Sequence, residues 1–367
     1  MKHWRAPMTT KQEPATATAM DLVVVRSLAL SILATLAILY TLYLASPILI
    51  PITLALYLNL LFSPVVNLLT RIHIPLVISA ALIVSGFVFV IGLTTSLLIE
   101  PAQEWLREAP TSIESLRDSM ATAQKPLQDI QEVSEQVEKM TKIGDEPDTP
   151  KVSVEKPTFL NKVASNVPTL LAYVGIAVFL TFFLLASGDT FLLKFTRLGR
   201  NFTEQRRIVT VIRHIQSDIS RYLLTITIIN IALGLAVTGT MYLLEVPNPW
   251  LWGTLAGLLN FVPYVGPFLT IVILTFVGLT TFPEVSRALS LPLIYFGLTA
   301  LEGQVVTPLV VGQRLKLSPV MVFISLVLWG WLWGPVGMLL AVPILVSLNV
   351  ILQNVPRLTA LSVFMKR

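Results

Sequence analysis

The sequence predicts an all-α polytopic membrane protein: about six full spans plus two broken-helix (re-entrant) hairpins, or eight spans, with a small helical extracytoplasmic domain. Three observations carry that reading. Of the 367 residues 54% are hydrophobic and only 13% charged, with a mean hydropathy of +0.76, well outside the composition of a soluble domain. Apolar runs long enough to cross a hydrocarbon core of about 30 Å recur along the chain. Cations and anions are segregated into different polar stretches between those runs, as the two faces of a membrane require. Cysteine is absent, which excludes a disulfide framework and any thiolate nucleophile or metal site. The net charge of +5 belongs to cytoplasm-facing loops, so no nucleic-acid partner is expected.

Residues 1–99 hold a polar tail with Lys2, Arg5 and Lys11, then three spans: Asp21–Ala45, the short Pro47–Phe62, and Pro75–Ile99. The first apolar run is longer than that of a cleavable signal peptide, so it is read as a retained helix. Ser63–Ile74, with Arg71 and His73, is assigned to the cytoplasmic face. Residues 100–166 are acidic, and Ile113, Leu116, Met120, Leu127, Ile130, Val133, Val137 and Met140 recur there at helical spacing. They predict amphipathic helices that pack on each other or on a neighbouring subunit. Residues 167–187 form the fourth span. The segment 188–221 follows with Lys194, Arg197, Arg200, Arg206, Arg207, Arg213 and Arg221. The positive-inside rule places it in the cytoplasm, the acidic domain outside, and both termini inside.

Residues 222–367 form the carboxyl-terminal core: a span at Tyr222–Leu244, a broken segment, a span at Ala288–Val311 and a second broken segment. The apolar segment Trp250–Leu279 would be about 45 Å long as one helix, too long for a simple span. Pro263, Gly266 and Pro267 break it, leaving two arms of about 20 Å. A re-entrant hairpin follows; the rival is a proline kink in one tilted helix. The second copy breaks at Gly334, Pro335 and Gly337. Each first arm carries a small-xxx-small pair, Gly253/Gly257 and Gly330/Gly334, suited to close helix approach. Parity and the positive-inside rule predict that the first hairpin enters from outside and the second from the cytoplasm, with Glu284 and Arg287 outside and Arg314 and Lys316 inside.

Four stretches make the chain similar to the autoinducer-2 exporter family of bacterial permeases. They are Gly257–Pro267, Leu301–Pro308, Gly312–Pro319 and Trp329–Pro343. The resemblance covers nearly the whole chain. It implies a multi-pass transport protein of the bacterial inner membrane that assembles as a homo-oligomer, in a family linked to export of a signalling furanone and to sodium/proton exchange.

Glu302 lies inside an apolar run, where an ionisable side chain is costly and is a functional candidate by default, as a proton carrier or a cation ligand. A structural glutamate bonded to broken backbone is the alternative. Gln304, Asn230 and Asn260 could orient a polar solute or satisfy one another between helices. Tyr264 joins Pro263 and Gly266 as a path-lining candidate, or anchors the interface. No metal site, cofactor or enzyme motif is present: His-Glu-x-x-His, Gly-x-Ser-x-Gly and the Walker lysine loop are all missing. The expected function is therefore secondary, non-ATP transport of a small polar solute or signalling molecule, coupled to H+ or Na+. The alternatives are a cation/proton antiporter and a membrane scaffold with a partner-binding external domain.

Overall fold

The computed structural model describes residues 15–105, 159–188, 190, 202–311 and 317–354. The chain divides into two compact units, residues 1–49 and 50–367. The polar tail with Lys2, Arg5 and Lys11, the amphipathic positions from Ile113 to Met140, and Lys194, Arg197 and Arg200 lie outside the described residues. So do Gly312–Lys316 and the basic carboxyl terminus.

Ten helices are described: α1 Ala15–Leu44, α2 Ser46–Arg71, α3 Leu76–Trp105, α4 Phe159–Ser187, α5 Phe202–Leu243, α6 Pro249–Leu259, α7 Val265–Thr281, α8 Val285–Leu301, α9 Thr307–Val311 and α10 Pro319–Asn354. Several depart from the sequence reading, α4 among them, since it begins at Phe159 inside the segment assigned to the external domain. Helix α2 continues through Pro64 to Arg71 instead of ending at Phe62, because a membrane helix tolerates proline where its surroundings satisfy the freed carbonyl. Helix α3 runs on to Trp105, into the segment assigned to the external domain, and the Trp105 ring meets Trp252 edge-on at 5.0 Å. The basic stretch expected as a loop is helical from Phe202 onward. No proline occurs in Phe202–Leu243 and no glycine before Gly234, so nothing stops the helix where its hydropathy changes.

Both broken segments reverse. Helices α6 and α7 span only about 16 and 25 Å. At their open end the Arg287 guanidinium lies 3.6 Å from the Glu245 carboxylate and 4.5 Å over the Phe282 ring. It also donates to the Leu244 carbonyl at 3.4 Å. The chain thus leaves α5 and enters α8 at the same end, which excludes a single kinked crossing.

The second reversal sits inside α10, at Gly334, with φ 64° and ψ −147°. The Ser325 hydroxyl donates to the Ala341 carbonyl at 2.9 Å, whereas a straight helix would hold those residues about 24 Å apart. The arms Pro319–Trp333 and Pro335–Asn354 are about 22 and 30 Å long. The return arm is longer than expected; the fold-back at Gly334, not shortness, makes this a hairpin. Among the described residues six helical segments without a reversal remain that are long and apolar enough to cross a membrane: those within α1 to α5, and Val285–Val310.

Helix α5 is the axis of the second unit. Leu233, Val237 and Met241 of its second half are buried with Trp252, Ala256, Leu274, Leu291 and Tyr295 of the first hairpin and α8. Ile215, Ile219, Tyr222 and Leu223 of its first half pack with Val322, Leu326, Ala341, Leu345 and Val346 of the second hairpin. The two hairpins therefore occupy opposite halves of one helix.

Candidate functional site

The first hairpin is seated by small residues. A β-carbon on Gly253 would stand 1.8 Å from Thr238 Oγ1 and 2.5 Å from the Gly234 carbonyl, and one on Gly257 would stand 2.9 Å from the Asn230 carbonyl. The small-xxx-small pair of α6 thus lies directly on α5 backbone, the close approach such motifs permit in lipid. Asn230 lies about 20 Å back along α5 from Leu243, so the tip of the hairpin stops short of a 30 Å core.

At that tip Asn260 Nδ2 donates to Asn230 Oδ1 at 2.8 Å. Asn230 is 3% exposed, and its own Nδ2 has no acceptor among the described residues. Reversing both amides would exchange donor for acceptor and still leave one atom of Asn230 unpaired. A buried unpaired polar atom costs about 1–3 kcal/mol, which a water or a polar solute would relieve.

Beyond Asn260 the backbone turns through Pro263 and Tyr264. Tyr264 has φ 63° and ψ −52°, and Val265 N–H donates to the Pro263 carbonyl at 2.7 Å. This is a γ-turn of the rare positive-φ hand, a strain of about 1–3 kcal/mol of the sort held at functional sites. The Tyr264 side chain is exposed. Gly266 closes the turn: a β-carbon there would stand 1.8 Å from the Leu259 carbonyl.

The second break repeats this device. Gly334 adopts a backbone conformation that is essentially glycine-only, and Pro335 opens the return arm. A β-carbon on Gly337 would stand 2.0 Å from the Trp329 carbonyl. In both hairpins a positive-φ residue comes two or three positions before a glycine pressed against a carbonyl of the outbound arm. The Trp329 and Trp333 rings lie 4.6 Å apart beside the second break.

Glu302 begins a π-helical turn, Glu302–Val306, between α8 and α9. Thr307 N–H donates to the Glu302 carbonyl five residues back. Pro308 accounts for the widened turn: it has no N–H and would clash with the carbonyl of Gln304 in a regular helix. Such turns are frequent at functional sites. The half-buried Glu302 carboxylate accepts a hydrogen bond from the Thr307 hydroxyl, and Gln304 is exposed. Among the described residues no hydrogen bond joins either to the Asn230–Asn260 pair. The structure thus brings together Asn230, Asn260 and the tip of the first hairpin, and leaves Glu302 with a partner on its own helix. No group of three or more metal-ligating side chains occurs among the described residues.

Several contributors escaped the sequence reading: Gly234 and Thr238 on α5, Thr307 beside Glu302, Ser325 clasping the second hairpin, and Asn349. Asn349 is fully buried and accepts from Gln353 Nε2 at 2.9 Å, and its own Nδ2 has no partner among the described residues. Asn230, Gly234 and Thr238 were findable, since small or polar residues four apart in an apolar helix form one packing stripe.

The model of the AI-2E family transporter matches residues 32–357. The AI-2 transport protein TqsA of Escherichia coli K12 is 28% identical over 317 residues, covering 84% of this chain and 87% of that protein. A transport-designated protein of Haemophilus influenzae is 27% identical over 343 residues, covering 89% of this chain and 92% of its own. YhhT of Escherichia coli K12, also transport-designated, is 34% identical over 126 residues, 34% of this chain and 36% of that one. With a family match across nearly its full length and broken hairpins at the matched segments, the chain belongs to the AI-2E family of membrane transporters.

Proposed function

We propose that this transporter is a secondary exporter of a small polar solute, with the first hairpin tip lining the path and Glu302 coupling movement to H+ or Na+. The observation that carries the proposal is the pair of broken hairpins on opposite halves of α5. Two unwound tips entering from opposite faces form the arrangement from which alternating access is built. Unwound backbone at membrane depth is stable only against protein or a watery cavity, and the unpaired atom of Asn230 supplies a polar contact there. The printed name of TqsA makes autoinducer-2 the first solute to try. Cation/proton antiport is the second reading, favoured by a half-buried carboxylate on a π turn. In the proposed orientation both termini and residues 188–221 are cytoplasmic, residues 100–166 are extracytoplasmic, and the membrane is the bacterial inner membrane. The exposed apolar faces of the helices leave room for a homo-oligomer. The test is flux of autoinducer-2 from proteoliposomes under imposed proton and sodium gradients, comparing wild type with Glu302→Gln. Loss of gradient dependence at normal insertion is the expected result, and unchanged gradient-driven flux in the variant refutes the coupling role.

A further inference from the structure

The Tyr295 side chain is fully buried, and its hydroxyl has no hydrogen-bond partner among the described residues. A phenol so placed carries a desolvation cost that phenylalanine, with the same shape and no hydroxyl, would avoid. The hydroxyl therefore does not serve packing in this state. Tyr295 lies on the packed face of α8, in one cluster with Val237 and Met241 of α5, Trp252 and Ala256 of α6, and Leu274 and Val277 of α7. None of these side chains ionises, and the one N–H among them, on Trp252, already donates to the Pro247 carbonyl at 2.9 Å.

Two polar neighbours remain. The first is Thr270 of α7. A β-carbon on Gly278 would stand 2.3 Å from the Ala288 carbonyl, which sets α7 and α8 in antiparallel register and brings Thr270 level with Tyr295 and Phe296. The Thr270 hydroxyl is buried beside the phenol. Its own hydrogen is committed, because it donates to the Gly266 carbonyl at 2.9 Å, at the turn of the first hairpin. Thr270 can therefore only accept from Tyr295. The second neighbour is Glu302, about 10 Å further along the same face of α8. Among the described residues its carboxylate is the one charge acting on the phenol. It takes the Thr307 hydroxyl and has acceptor capacity left over. A phenol has a single O–H to donate. Thr270 and Glu302 thus compete for one hydrogen, with the hairpin on one side and the ionisable group on the other.

We propose that Tyr295 is a positioning residue whose hydroxyl carries the charge state of Glu302 to the first hairpin. Ionised Glu302 draws the phenol hydrogen toward itself through surroundings that screen little. Once a proton or a sodium ion neutralises the carboxylate, the hydrogen turns to Thr270 Oγ1 and ties α7 to α8. The part this plays in transport rests on the reading of Glu302 as the coupling group, whereas the switch itself does not.

Purified protein in nanodiscs, labelled with ring-deuterated tyrosine, is followed by infrared difference spectroscopy as the pH is stepped. A change in the tyrosine C–O band is expected in wild type and in Thr270→Ser, which keeps the acceptor. It should be absent from Tyr295→Phe, which identifies the band, and from Glu302→Gln. Identical difference spectra for wild type and Tyr295→Phe, or a band that persists in Glu302→Gln, overturns the switch. Thermal melts separate it from a packing role: Tyr295→Phe should melt at or above the wild-type temperature, and a lower melt would count against the proposal. In proteoliposomes Tyr295→Phe and Thr270→Val should each lose about tenfold of the gradient-driven flux of autoinducer-2, with Thr270→Ser close to wild type. Loss of gradient dependence in Glu302→Gln with unchanged flux in Tyr295→Phe overturns the role of Tyr295 alone. Unchanged gradient dependence in Glu302→Gln, with the infrared band behaving as expected, refutes the coupling reading of Glu302 and upholds the switch.

Discussion

Asn230 and Asn260 join α5 to the tip of the first hairpin through one side-chain hydrogen bond. Removing one partner strands the other in a dry environment, so Asn260→Ala is expected to cost about 1–3 kcal/mol. The double variant should cost less than the two single changes summed, with a coupling near the roughly 0.6 kcal/mol usual for interhelical bonds in membranes. Reversible unfolding of the four proteins in mixed micelles gives that cycle; strict additivity would show that the bond contributes nothing. Tyr264 makes the complementary case. Its positive φ strains any residue with a β-carbon, so Tyr264→Gly should raise stability by about 1 kcal/mol and lower flux if the ring lines the path. Higher stability with unchanged flux would separate the turn from transport. Of these residues the asparagines were legible in the sequence, being amides in apolar helices. The γ-turn at Tyr264 was not, because proline and glycine mark a break without saying which neighbour takes the strained dihedral.

At the level of helices, the glycines divide by what stands opposite them. Gly253 faces backbone and a hydroxyl on α5, whereas a β-carbon on Gly239 would meet nothing within 4 Å. Gly253→Leu is therefore expected to destabilise by at least the roughly 1–3 kcal/mol of ordinary overpacking, while Gly239→Leu stays within about 0.5 kcal/mol. Thermal melts of purified protein test the contrast, and equal behaviour of the two variants would refute the proposed seat. Breaks such as Pro263–Pro267 and Gly334–Pro335 were legible because proline and glycine act locally. The starts and ends of α2 and α5 were not. Hydropathy falls at Ser63–Arg71 and at 202–221, but helical hydrogen bonding does not depend on hydropathy, so both helices continue through the change.

For the whole molecule, the reversal of both segments sets an expected topology. Cysteines placed at Glu284 and Lys316 of this naturally cysteine-free chain should react differently with an impermeant thiol reagent on intact cells. Labelling at 284 and protection at 316 is the expected pattern, and the opposite pattern refutes the orientation. The fold class was legible from composition and from the length of apolar runs, since lipid admits few alternatives to the helix. That both hairpins share α5 was not, because periodicity names a buried face without naming what covers it. The shared seat has a mechanical consequence. Asn230, Gly234 and Thr238 recur every four residues on α5, as Gly253 and Gly257 do on α6, and the two glycines of α6 lie directly on the Thr238 hydroxyl and the Gly234 and Asn230 carbonyls. At this distance α6 cannot turn about its own axis without driving a side chain into the backbone of α5, so the first hairpin is held at one rotation. The Asn230–Asn260 hydrogen bond fixes the same contact at its far end, where the hairpin turns.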